Sequence, residues 1–226
     1  MTVTHYKSST SISSSQNVVT SLALHDLAIA WALTDGTGNT FTWPSGFVEQ
    51  QVQTCIANGG NLGWALKLDC TGSEGTLTVG SSGSCIAGIV GVSSANNSAL
   101  DVASPTAYNN NSLVASPWTG VLSITPTTNG DVLLAIIMSD VNSNTVSTVH
   151  TFADTGGLSW TVDEHHDTTG WFQGAIAYAT QATAAATTVT GTGTGATNSS
   201  GVSMFLAAIK AASGGGSSPP IGNSCF

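Results

Sequence analysis

The chain has 226 residues and sets 3 Lys and no Arg against 12 Asp and Glu, a formal net charge of −9. Nucleic-acid binding depends on Lys and Arg neutralising phosphates, and three scattered lysines (Lys7, Lys67 and Lys210) build no basic groove, which excludes a DNA- or RNA-binding role. Charged residues are 7% of the chain where about 25% is ordinary, yet the hydrophobic share is 41%; the missing charge has become 62 Ser and Thr and 14 Asn, and enough apolar residues remain to bury a core.

Along the chain no 3.6-residue apolar stripe recurs. Short runs of β-branched, aromatic and small apolar residues do, each bounded by Gly, Asn, Ser or Asp, which is the pattern of an all-β sandwich or barrel. The runs predict strands at Val18 to Leu24, Asp26 to Thr34, Phe47 to Thr54, Leu62 to Asp69, Thr76 to Val79 and Cys85 to Val92. Further on they predict Val121 to Thr125, Val132 to Ser139, Thr145 to Phe152, Ser159 to Glu164, Gly174 to Thr180, Thr187 to Thr190 and Ser203 to Lys210. Several runs are apolar throughout, so they belong between layers and are covered on both faces. Residues 102–120 read as a surface crossover that still packs Leu113, Val114 and Trp118. Residues 213–226 read as a Gly/Ser/Pro-rich tail, and its terminal Cys225 and Phe226 suit docking on a neighbour in an assembly. No apolar run reaches about 18 residues and none follows a charged n-region, so neither a membrane span nor a signal peptide is expected.

The two halves echo each other. Asp26-Leu-Ala-Ile-Ala-Trp-Ala-Leu-Thr-Asp35 aligns with Asp131-Val-Leu-Leu-Ala-Ile-Ile-Met-Ser-Asp140 at an offset of 105 positions, and both runs begin and end with Asp. Pro44-Ser-Gly-Phe47 corresponds to Gly156-Gly-Leu-Ser-Trp160, and Cys85-Ile-Ala-Gly-Ile-Val to Val202-Ser-Met-Phe-Leu-Ala-Ala-Ile. The expected domain is one β-sandwich over residues 1–212 from quasi-repeats at about 16–101 and 116–212, each of about five strands. Asp131-Val-Leu-Leu-Ala-Ile, Pro44-Ser-Gly-Phe-Val and Ile86-Ala-Gly-Ile-Val-Gly-Val-Ser-Ser resemble the GDLLV, PSGW and YRGV patterns of a β-sandwich family found in bacteriophage virion proteins and bacterial exported proteins. That resemblance covers about residues 16–212 and implies a jelly-roll or lectin-like sandwich used in capsid decoration, tail appendages or surface binding. The aromatic that precedes Gly in the last pattern is replaced at Ala87-Gly88 and at Ala207-Ala208.

The densest polar cluster is Asp163-Glu164-His165-His166-Asp167. On a strand, Asp163, His165 and Asp167 share one face, a set that could ligate a divalent ion; a solvated strand end is the competing reading. Asp26, Asp35, Asp131 and Asp140 stand at strand ends, where side-chain to backbone bonding in turns explains them. His25 and His150 read as structural. No nucleophile elbow, paired-carboxylate cleft or Cys-x-x-Cys spacing occurs, so no enzymatic activity and no cofactor is expected. Cys55, Cys70, Cys85 and Cys225 allow three two-bridge pairings or none. Of six tryptophans, Trp31, Trp64 and Trp160 fall within strand runs, while Trp43, Trp118 and Trp171 fall at turns, where exposed indoles could stack on sugars.

A Ser/Thr/Gly/Asn surface with so little charge suits a protein covered by copies of itself or by a larger particle. The expectation is a non-enzymatic virion protein, capsid-decorating or tail-associated, whose partners are its own copies and other virion proteins. The alternative is a carbohydrate- or receptor-binding module, on a phage adhesin or an exported bacterial surface protein, that reads a cell-surface glycan through Trp43, Trp118 and Trp171.

Overall fold

The computed structural model describes residues 2–8, 11–34, 38–55, 60–93, 95–103, 108–110, 115–141, 149–166, 172–195 and 199–211. These form strands and turns throughout. The first half supplies β1 (Thr2–Lys7), β2 (Ser13–Val19), β3 (Leu27–Thr34), β4 (Phe41–Thr42), β5 (Val48–Cys55), β6 (Gly60–Lys67) and β7 (Thr76–Ser93). Next come β8 (Ala95–Ala103), β9 (Tyr108–Asn110), β10 (Trp118–Ile124), β11 (Asp131–Val141) and β12 (Val149–Asp154). The last four are β13 (Thr161–His166), β14 (Phe172–Gln181), β15 (Thr187–Thr194) and β16 (Ser199–Ala211).

One sheet runs β1-β7-β3-β6-β5, and β2 and β4 also pair with β7. The long β7 serves two layers: its later residues pair with β1 and β3, and its first residues pair with β2 and β4. A second sheet runs β13-β14-β11-β16-β8 with β9 on β16, and β10-β15-β12 forms a third. Every pairing is antiparallel, so the structure is an all-β assembly of sandwiched sheets.

Side-chain alternation sets the layering. Leu27, Ile29, Trp31 and Leu33 of β3 meet Val132, Leu134, Ile136 and Met138 of β11 in a central core. The intervening Ala28, Ala30 and Ala32 turn toward Val18, Leu77 and Val79 of the layer made by β2 and the start of β7. On the other side, Leu133, Ala135 and Ile137 turn toward Trp118, Leu122, Ile124 and Val189 of the three-stranded sheet. β3 and β11 are thus covered on both faces, which is why their sequences do not alternate. Each Leu, Ile or Val withdrawn from water contributes about 1.5–3 kcal/mol, so these two strands hold the four layers together.

Three expectations change. Each half holds more than five strands, because β1, β4, β8 and β9 have no counterpart among the predicted runs. Thr76 to Val79 and Cys85 to Val92 are one bent strand, β7. Residues 102–120 are not a single surface crossover: Val102 and Ala103 end β8, Tyr108–Asn110 pair with β16, and Trp118 opens β10.

Candidate functional site

The predicted acidic cluster lies on β13, an edge strand whose partner is β14. Asp163 stands opposite Ile176 and Glu164 opposite Ala175. Ile176 belongs to the central core and Ala175 to the outer one. Adjacent carboxylates therefore leave β13 in opposite directions, and each meets a buried histidine from another layer.

Asp163 Oδ2 lies 2.8 Å from His5 Nδ1 on β1, and Trp31 Nε1 of β3 donates to His5 Nε2 at 3.1 Å. An indole nitrogen can only donate, so Nε2 is the acceptor and Nδ1 carries the proton that it gives to Asp163. Lys7 Nζ completes the relay by pairing with Asp163 Oδ1 and donating to the Glu164 carbonyl at 2.6 Å. The His5 side chain is 2% exposed, whereas Asp163 and Lys7 are about a third exposed, at 33% and 37%. Gly88 makes the approach feasible. A Cβ there would stand 2.6 Å from Trp31 Nε1 and 2.7 Å from His5 Nε2, so only glycine leaves the two rings room to meet.

Glu164 repeats the arrangement in the next layer. Its Oε1 accepts the His150 backbone N–H at 2.5 Å, and its Oε2 lies 2.6 Å from His150 Nδ1. His150 on β12 and Trp118 on β10 both stand opposite Gly193 of β15, and their side chains are fully buried. Here the indole and the imidazole do not join: Trp118 Nε1 and His150 Nε2 have no hydrogen-bond partner among the described residues. One relay is closed and the other is open at its last link.

The electrostatics follow from burial. Desolvation holds the His5 pKa below its ordinary value and outweighs the pull of Asp163. The His5 hydrogen bond, with help from Lys7, holds Asp163 down at about 2 against the opposing effect of burial. At neutral pH the relay is a neutral imidazole between an indole donor and an ionised carboxylate.

The other predicted residues separate. Asp163 is committed to His5 and Lys7; the side chain of His165 and all of Asp167 lie outside the described residues, and no group of three His, Cys, Asp or Glu gathers among the described ones. Trp118 is 0% exposed in the outer core, so the expectation that it forms a sugar platform is corrected: as the first residue of β10 it points inward against β16. Trp43 is half-buried, stacks on Phe41 with centroids 5.1 Å apart, and donates to Glu49 Oε2 at 2.8 Å. Trp31 and Trp64 are core residues, while Trp160 is half-buried and donates to Asp154 Oδ2 at 2.8 Å. Asp26 caps a turn through the Ala23 N–H. His25 pairs with Asp69 at an exposed strand end. Cys70 and Cys85 are buried free thiols. Trp171, Cys225 and Phe226 lie outside the described residues, as does the Cys55 side chain.

No known family model, curated protein or solved structure matches this chain. The sequence singles out neither His5 nor Lys7 as a site residue and marks His150 only as structural. Their partners stand 158, 157 and 14 positions away, so no local spacing announces them. A histidine within a strand run, as at His150, was the available sign.

Proposed function

We propose that this chain is a non-enzymatic virion structural protein, a capsid-decorating or tail-associated β-sandwich that works through contacts with its own copies and with other virion proteins. The observation that carries the reading is the character of its strand edges. β2, β10 and β12 each pair on one side among the described residues, and none of them carries a Lys or Arg. Natural edges are ordinarily guarded by Lys, Pro or a covering element, because free N–H and C=O groups recruit other strands. Here Val19, Val121 and Val149 are instead 71%, 44% and 61% exposed on those same strands. All three lysines are already engaged in ion pairs, with Asp163, Glu74 and Asp101. Edges of this kind suit a chain whose neighbours cover it.

The finer fold reading belongs to the same proposal: one sandwich of jelly-roll type built from two quasi-repeated halves. In support, β1-β7-β3-β6 is mirrored in order by β8-β16-β11-β14, and the set β2, β7, β4 by β10-β15-β12. First strand beside last, with a second layer wrapped over it, supports a jelly-roll reading, an architecture used in viral capsid and lectin domains. Leu27, Ile29, Trp31 and Leu33 also stand 105 positions before Val132, Leu134, Ile136 and Met138, and both sets enter one core.

Sedimentation velocity over a concentration series tests the assembly role, and concentration-dependent growth beyond the monomer is expected. A strict monomer that binds no virion component overturns it. The second reading, glycan binding, is favoured by the half-buried Trp43–Phe41 stack beside Glu49. A glycan array with wild type and Trp43→Ala decides it, since a sugar contact requires binding that the variant loses.

A further inference from the structure

We propose that the Trp31–His5–Asp163–Lys7 relay is an acid-sensitive latch that fastens the amino-terminal strand β1 to β13 and releases it when His5 takes up a proton.

β1 is an edge strand held in two ways. Its backbone pairs with β7 from Thr2↔Ser93 to Lys7↔Gly88, and its side chains cross to the other sheet through His5 and Lys7. The crossing depends on one tautomer. A proton added to His5 goes to Nε2, where the Trp31 N–H already points, so donor faces donor and that hydrogen bond is lost. The new charge also lies in a site that is 2% exposed, next to Lys7, which shares the same carboxylate. Asp163 gains some attraction from the imidazolium, but one carboxylate would then serve two cations.

Among the described residues the groups facing His5 are few. Lys7 comes from its own strand, Asp163 from β13 and Trp31 from β3, while β7 presents Gly88. Glu164 turns its carboxylate to the far side of β13, toward His150, and offers only its carbonyl to Lys7. His165 follows two residues after Asp163 on β13, and its side chain lies outside the described residues. In the closed state burial opposes the proton, whereas with β1 free His5 regains its ordinary value of 6.5. By linkage the opening equilibrium of β1 grows as pH falls below that value. Release would uncover the β7 edge from Gly88 to Ser93.

Hydrogen exchange of the full chain by NMR, corrected for intrinsic rates, reads this opening residue by residue. Between about pH 7 and pH 5 the opening constant of the β1 amides should rise by up to about 25-fold, the limit for a closed state that takes no proton, with β3 and β11 amides unchanged. His5→Gln can donate to Asp163 and accept from Trp31 but cannot titrate, so its β1 amides should change by less than about two-fold over the same range. A flat response in wild type, an equal response in H5Q, or parallel opening of β3 overturns the latch. Should H5Q fail to fold, direct NMR titration of the wild-type His5 ring decides. A midpoint below 6.5 that coincides with β1 release supports the latch, and a midpoint at or above 6.5 overturns it.

Discussion

Replacing Gly88 by Ala tests whether the Trp31–His5 contact is as tight as described. The added Cβ would meet ring atoms at 2.6 and 2.7 Å, closer than van der Waals contact allows, and both rings belong to packed, buried side chains that cannot swing aside. Overpacking of this kind costs about 1–3 kcal/mol, which for a chain of this size lowers Tm by roughly 3–10 °C. Gly75→Ala is the control, because no heavy atom stands within 4 Å of its added Cβ; it should stay within about 0.5 kcal/mol of wild type. Urea unfolding measures both. Trp31→Phe removes the atom that Gly88→Ala strikes first, so the double variant should lose less than the sum of the singles, with a coupling of about 0.5–3 kcal/mol. Equal stability of G88A and wild type, or strict additivity with W31F, would refute the close approach.

Three further outcomes are expected. Trp31→Phe should cost about 1–3 kcal/mol more than Trp118→Phe in urea unfolding, because the first orphans a buried acceptor on His5 and the second removes a donor that already lacks a partner. Acid should destabilise the fold through Glu74, Asp101 and Asp163, all held near 2 in the native state. For Glu74 and Asp101 burial pulls the other way, but hydrogen bonds from Lys67 and Thr71 to Glu74, and from Thr127 and Lys210 to Asp101, prevail. Depressed carboxylates stabilise the fold above their ordinary values, 4.5 for Glu74 and 3.8 for the aspartates, and that stability is lost as pH falls toward 2. Unfolding free energy against pH should therefore steepen below the ordinary carboxylate range, and Glu74→Gln should flatten the slope there by about one proton. Lysine at Val121 and Val149 together should weaken self-association in sedimentation while leaving Tm within a few degrees, since both side chains are exposed.

What the sequence made visible follows from burial. β3 and β11 stand out as apolar runs because both of their faces are covered, and their Asp-bounded ends align at the offset that the core later uses. β1 and β8 stayed hidden for the opposite reason. Thr2–Lys7 and Ala95–Ala103 are rich in Thr, Asn, Ser or charged residues, and become strands because β7 and β16 offer them unpaired edges. Pro117 signals a turn and so sets Trp118 outside the predicted strands, whereas β10 begins at that residue and drives the indole inward. In the sequence, Asp163 groups with His165 and Asp167 of its own charge cluster. Its real partners, His5 and Lys7, reach it only because β1 lies at the edge of one sheet across from β13 at the edge of another.

The unguarded strands of this chain are expected to be covered by neighbours. Electron microscopy of particles labelled with an antibody to this chain, run beside sedimentation of the purified protein, measures that coverage. Label repeating at regular intervals on the particle surface or tail, with self-association in solution, is the result expected; particles without label and a protein that stays monomeric at every concentration would contradict it.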